Sequence, residues 1–400
     1  VKKTIFLGLV SVVVIAGTVG IMYKKNLDRL AYGLTLFSGA EQYENFNRLA
    51  DIYPVSVMSA SPKPFDFEDG TSLNLPSQFS YGGENVGVEK FLVDTDTSAL
   101  LVIHNGKVRF ERYMLTGGRD VNWLSMSVSK SFIATAIGIA VDRGMIDIEL
   151  PISDYVPSLL GSAYDGVRIK DVLQMSSGAA WNEDYGDTES DIMRLGMIMS
   201  VGGSLDDFVA TLTSERAPGT LNHYNSADTQ ALAMLLSRAT GQSVTDYLTE
   251  NIWHPLGMES DAYWLVDDEQ VEMAFGGLNA TARDYAKLGE LHRLNGLWQG
   301  QQIVSTQWVT AATKPDAPHL QPGLNKTFPL GYGYQWWVPE STEGEYSAIG
   351  VYNQFIYVNP TRDLVIVKLS AFSDYAQTAD ESSFREMETI DFFREIGRLL

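Results

Sequence analysis

Cysteine is absent from all 400 residues, which removes disulfides, thiolate metal sites and cysteine nucleophiles together and leaves the redox compartment open. Histidine is scarce as well. His104, His223, His254, His292 and His319 are scattered, with no H-E-x-x-H and no close pair, so neither a metal nor a cofactor is expected from them. Positive charge is also short: 29 basic against 50 acidic residues leave a formal net charge of −21, and no Lys/Arg-rich run interrupts it. A surface of that sign repels phosphate backbones, which argues against nucleic acid as a partner. Gly-x-Ser-x-Gly, Gly-x-Gly-x-x-Gly and the phosphate loop are all missing, so an α/β-hydrolase elbow and a nucleotide cofactor are unsupported.

What is present begins with one long uncharged run, Thr4 to Tyr23, bounded by Lys2-Lys3 and Lys24-Lys25. As a helix it would span about 30 Å, the thickness of a bilayer core. Residues 1–25 are therefore expected to form a membrane anchor or signal segment. With no small-x-small site before Lys24, an uncleaved anchor is favoured, the catalytic part lying outside the cytoplasm; cleavage would mean secretion. The whole chain is 45% hydrophobic and 20% charged, enough for a large core.

Residues 26–84 read as a connector with short ordered pieces, because S-A-S-P-K-P-F-D-F-E-D-G is turn-rich. Asn105-Gly106, between S-A-L-L-V-I-H and K-V-R-F-E-R-Y, predicts a hairpin. Apolar residues at three- and four-residue spacing predict a helix over 125–143, and others follow at 227–240 and 281–294. The last third returns to β-prone runs and closes on an amphipathic helix. The fold class is α+β: one antiparallel sheet from about 85–120 and 297–400, flanked by terminal helices, with an inserted helical part over about 121–296.

Ser127-Val128-Ser129-Lys130 is the only Ser-x-x-Lys in the chain. At the start of a helix, i and i+3 share a face, so the Lys130 amine can reach the Ser127 hydroxyl. A serine needs a base, and lysine serves as one when its pKa is lowered. The backbone N–H of Ser127, at a helix start, is one expected oxyanion donor.

The surrounding W-L-S-M-S-V-S-K-S-F resembles the nucleophile motif of class C β-lactamases and their esterase relatives. P-G-T-L-N-H-Y-N-S-A-D-T supplies the second element, Tyr224-Asn225-Ser226. Serine in the third place resembles 6-aminohexanoate-dimer hydrolases and family VIII carboxylesterases. The resemblance covers residues 85–400 and implies that Tyr224 shares proton transfer with Lys130, its phenol pulled down by the adjacent cation. Ser226 has two readings, a helix cap or a site residue. The third family element, Lys-Thr-Gly, is missing, and E-Y-S-A-I-G occupies its place, with Ile349 as the second oxyanion donor and Gly350 beside it. In these relatives the W-N-E-D-Y loop borders the active site, which makes Asp184 and Tyr185 candidate substrate contacts. Of Trp336 and Trp337, at most one can wall a pocket, since strand neighbours face opposite ways. The resemblance thus implies a metal-independent serine hydrolase acting on small esters or amides rather than on β-lactams. The alternatives are a D-amino-acid peptidase or penicillin-binding protein acting on cell-wall peptides, and a non-catalytic scaffold of the same fold.

Overall fold

Asn105 and Gly106 both adopt positive φ, 52° and 70°, and close the hairpin between β1 (Thr97–His104) and β2 (Lys107–Tyr113). This computed structural model describes residues 24, 27–39, 41–326, 328–378 and 381–400. The apolar run read as an anchor lies outside the described residues, and no described helix is long and apolar enough to cross a membrane.

The hairpin forms one edge of a seven-stranded sheet. Five strands come from the other end of the chain: β3 (Gly331–Tyr332), β4 (Trp337–Val338), β5 (Tyr346–Gly350), β6 (Gln354–Asn359) and β7 (Leu364–Ser370). The spatial order is β3-β4-β5-β6-β7-β1-β2, every pair antiparallel. Every residue of β6 and β7 is buried, so neither run can alternate polar with apolar as a one-sided antiparallel strand would. Leu101, Ile103, Ile356, Val358, Val365 and Val367 point to the helical side. Leu100, Val102, Phe355, Tyr357 and Ile366 point to the other, where the C-terminal helix packs Phe392, Phe393 and Ile396 on them.

Four helices organise the two sides: α1 (Ser129–Asp142), α2 (Ser226–Thr240), α3 (Ala282–Arg293) and α4 (Glu386–Arg398). The first is buried on all faces from Ser129 to Ala140, as a helix with no polar stripe must be. The stretch expected to be helical from 125 begins instead with a 3-10 turn, Met126–Val128, before the α-helix starts.

Residues before 85 take a larger part than a connector. Val55–Met58 pairs with Ala262–Leu265 in a second, four-stranded antiparallel sheet that also contains Leu278–Ala280 and Trp123–Leu124. Phe46 is fully buried and stacks on Trp123, ring centroids 5.4 Å apart at 20°. The turn chemistry of this stretch is real, but the isolated aromatics within it are anchors that periodicity does not reveal. Phe46→Ala is expected to destabilise the protein by about 3–5 kcal/mol, measured by urea unfolding; a loss below about 1 kcal/mol would show that the early segment is a dispensable wrapper.

Candidate active site

The chain reaches Ser127 by a sharp change of direction. The short strand Trp123–Leu124 ends where the Ser125 N–H donates to the Leu278 carbonyl at 2.8 Å. Met126 then takes a φ of 45°, sparsely populated for a side chain of its size, and the 3-10 turn leads into α1. Ser127 is the second residue of that turn, where a backbone N–H lacks a partner within the helix.

Lys130 follows one turn later and is 1% exposed. Its Nζ lies 2.8 Å from Ser127 Oγ, 2.8 Å from the Phe275 carbonyl oxygen and 3.1 Å from Ser226 Oγ. Burial brings the Lys130 pKa down to about 7, partly opposed by the charge of Glu183. A neutral amine has two N–H donors and one lone pair. The Phe275 carbonyl can only accept. Ser226 spends its own proton on Glu183 Oε1 at 2.6 Å, so it too accepts from Lys130. Both donors are then engaged, and the lone pair is left facing the Ser127 hydroxyl.

Ser226 is therefore a bridge and not a cap. Asn225 caps α2, its Oδ1 accepting from the Ala227 N–H at 2.8 Å. The residue behind the bridge, Glu183, did not emerge from the sequence, although its neighbours did. Its carboxylate also accepts from the Ser226 N–H at 3.0 Å, from the Tyr185 hydroxyl at 2.7 Å and from the Trp181 indole N–H. Its signal was W-N-E-D-Y itself, where the choice among adjacent acids depends on which way the loop turns. Asp184 points away from the cavity: it is exposed and accepts from the Gly186 N–H within its own turn. Tyr185 faces inward.

Tyr224 stacks on Trp337, centroids 5.2 Å apart, with Lys130 Nζ 5.1 Å from its ring centre. The expected lowering of its pKa is not found. Burial pushes the phenol well above its ordinary value, Glu183 adds to the rise, and the Ser127 hydroxyl offsets it only in part. The physical reason is the burial of the phenol itself, which disfavours the phenolate and outweighs what its neighbours offer.

A cavity of about 320 Å³ opens in front of these groups, lined by Ser127, Tyr185, Tyr224, Trp337, Ile349 and Gly350 among others. Trp336 turns the other way, fully buried against His292, so one tryptophan of the pair walls the cavity. The end of β5 runs against the turn that carries Ser127. A Cβ at Gly350 would stand 2.7 Å from the Ser125 carbonyl oxygen and 3.0 Å from the Ser127 nitrogen, so only glycine allows this approach. Among the described residues no group of three or more His, Asp or Glu side chains is placed to hold a metal.

Comparison with known proteins agrees with this geometry. The Beta-lactamase family matches residues 89–386. A 6-aminohexanoate-dimer hydrolase of Paenarthrobacter ureafaciens is 33% identical over 343 residues, covering 82% of this chain and 85% of its own. Among solved structures, a Bacillus anthracis protein provisionally assigned as a 6-aminohexanoate-dimer hydrolase superposes with a TM-score of 0.81 at 22% identity, over 91% of this chain and 96% of its own. A family VIII carboxylesterase gives 0.57 at 14% identity, over 76% and 92%, and at such identities the likeness shows the fold alone. Matched over well beyond half its length, with the antiparallel sheet and helical layer in place, this chain belongs to the Beta-lactamase family of hydrolases.

Proposed function

We propose that this protein is a serine hydrolase that forms an acyl-enzyme on Ser127 and cleaves small esters or amides. The observation that carries the reading is the Lys130 amine 2.8 Å from Ser127 Oγ, with its other hydrogen-bonding positions occupied. Lys130 accepts the Ser127 proton as Oγ attacks the substrate carbonyl carbon. The negative charge that develops on the carbonyl oxygen is received by the N–H groups of Ser127 and Ile349. Tyr224, kept protonated by burial, gives its proton to the leaving oxygen or nitrogen and recovers one from the Lys130 ammonium. The C–O or C–N bond breaks, and water enters by the same steps in reverse order to release the acid and restore Ser127.

Each role has an expected consequence. A fluorophosphonate probe should label Ser127, as mapped by mass spectrometry, and Ser127→Ala should lower kcat/KM by roughly 10³-fold or more; modification at any other residue contradicts the assignment. Lys130 must be neutral to act, so kcat/KM for a nitrophenyl ester should fall as pH drops through about 7. Since Glu183 raises the Lys130 pKa, Glu183→Gln should move that acidic limb to lower pH, and an unmoved limb would separate Glu183 from the proton chemistry. Gly350→Ala should reduce kcat by about tenfold or more while the protein stays folded by circular dichroism, because the added methyl crowds the Ser127 N–H.

A further inference from the structure

One buried lysine has no part in the proton transfers. Lys368, on β7, is fully buried, and its Nζ donates to Asn353 Oδ1 and to Ser370 Oγ, each at 2.7 Å. Burial and the Arg385 guanidinium nearby push its pKa well below the ordinary lysine value. A buried amine is costly unless its hydrogen bonds are made, so the contact with Asn353 is part of what keeps Lys368 inside. Thr389 also reaches Asn353 Oδ1, at 3.0 Å, but its single hydroxyl hydrogen meets the Arg385 carbonyl at 2.6 Å as well. Lys368 is therefore the donor that fixes which way the Asn353 carboxamide points.

With its oxygen turned to Lys368, Asn353 presents Nδ2 to the Phe384 carbonyl and donates to it at 2.9 Å. That single bond joins two separate stretches that line the cavity. Asn353 lies in the turn between β5 and β6, where Tyr352 and Asn353 have φ of 61° and 72°. Asparagine tolerates this left-handed region, whereas a tyrosine enters it at a cost. Ile349, Gly350 and Val351, just before those two residues, line the cavity. Phe384 lines it too, as the last residue of a short helix, Glu381–Phe384, and its ring meets that of Tyr375 edge to face, centroids 5.2 Å apart. Arg385 follows at a φ of 55°, and the chain turns there into α4. A carbonyl at a helix end has no partner within the helix, and Asn353 supplies one.

We propose that Asn353, oriented by Lys368, is a positioning residue: it holds Phe384 at the cavity wall and thereby sets the size of substrate group that the cavity accepts. The inference rests on the reading of Ser127 as nucleophile and adds a determinant of selectivity to that site. Without the bond, the Phe384 carbonyl loses its donor and the wall is free to withdraw, while Ser127, Lys130 and Tyr224 keep their own contacts.

Asn353→Asp isolates the link. Its carboxylate still accepts from Lys368 and Thr389, but it sets an acceptor against the Phe384 carbonyl. Two ester series are compared: nitrophenyl acetate, butyrate and benzoate vary the acyl group, and methyl, butyl and benzyl acetate vary the alcohol. Phe384→Ala should raise kcat/KM for the largest member relative to the smallest by about tenfold in the series that meets this wall. Asn353→Asp should shift the same series in the same direction, and Lys368→Met should do so more weakly. The double variant Asn353→Asp with Phe384→Ala should add little to Phe384→Ala alone, since both act on one wall. Should Asn353→Asp not fold, Lys368→Met carries the comparison. If Phe384→Ala shifts neither series, or if the Asn353 and Lys368 variants slow every ester by one common factor, the proposal is overturned. Binding gives a readout without turnover: in Phe384→Ala and Asn353→Asp, adamantanol should gain on cyclohexanol in raising the melting temperature, each pair being compared within one variant. If that gain is seen and no ester is cleaved, the hydrolase reading fails and the Asn353 link stands. If Asn353→Asp and Lys368→Met cleave esters with wild-type selectivity, the link fails and the hydrolase reading stands.

Discussion

A lysine side chain held almost out of contact with water is the constraint on which the rest of the structure turns. Lys130 can stay buried only because its nitrogen meets the Phe275 carbonyl, Ser226 and Ser127, and those three come from distant parts of the chain. Helix α1 is buried from Ser129 to Ala140 to carry it inward, with α2 packed against it. An amine whose pKa is brought down to about 7 has a substantial neutral fraction at neutral pH, which suits it to the proposed role of base toward the neighbouring hydroxyl.

The same low polarity acts on the other titratable groups of the site, with opposite consequences for each. It holds the Tyr224 phenol protonated, which suits a proton donor. It also raises Glu386 and Glu381, which line the same cavity. Glu183 stands apart: four donors converge on its two oxygens, two from its own loop and two from Ser226, so it can orient Ser226. The machinery is thus built from burial tuned by a few well-placed hydrogen bonds.

Much of the fold was legible in advance. The Asn-Gly hairpin, the helix closed by Gly241 and the final amphipathic helix follow from local turn chemistry and spacing, which depend on nearest neighbours alone. The early segment was harder to read. Phe46 directly follows a four-residue helix, Gln42–Asn45, too short to show a periodic pattern, yet it packs against Trp123. Short strands such as Val55–Met58 leave almost no periodic signal, and their partners lie some 200 residues away.

The sequence by itself determined which groups are candidates for the proposed chemistry. Ser127 and Lys130 share a helical face because three residues separate them, and Tyr224 with Ser226 follows from a recognisable motif. Tertiary structure alone decided how those groups are disposed. It assigned the cap to Asn225 and the bridge to Ser226, chose Glu183 over Asp184, and turned Trp337 and not Trp336 to the cavity. The reason is physical: helical spacing is a property of the backbone, whereas burial and the direction of a loop carboxylate are sums over residues far apart in the chain.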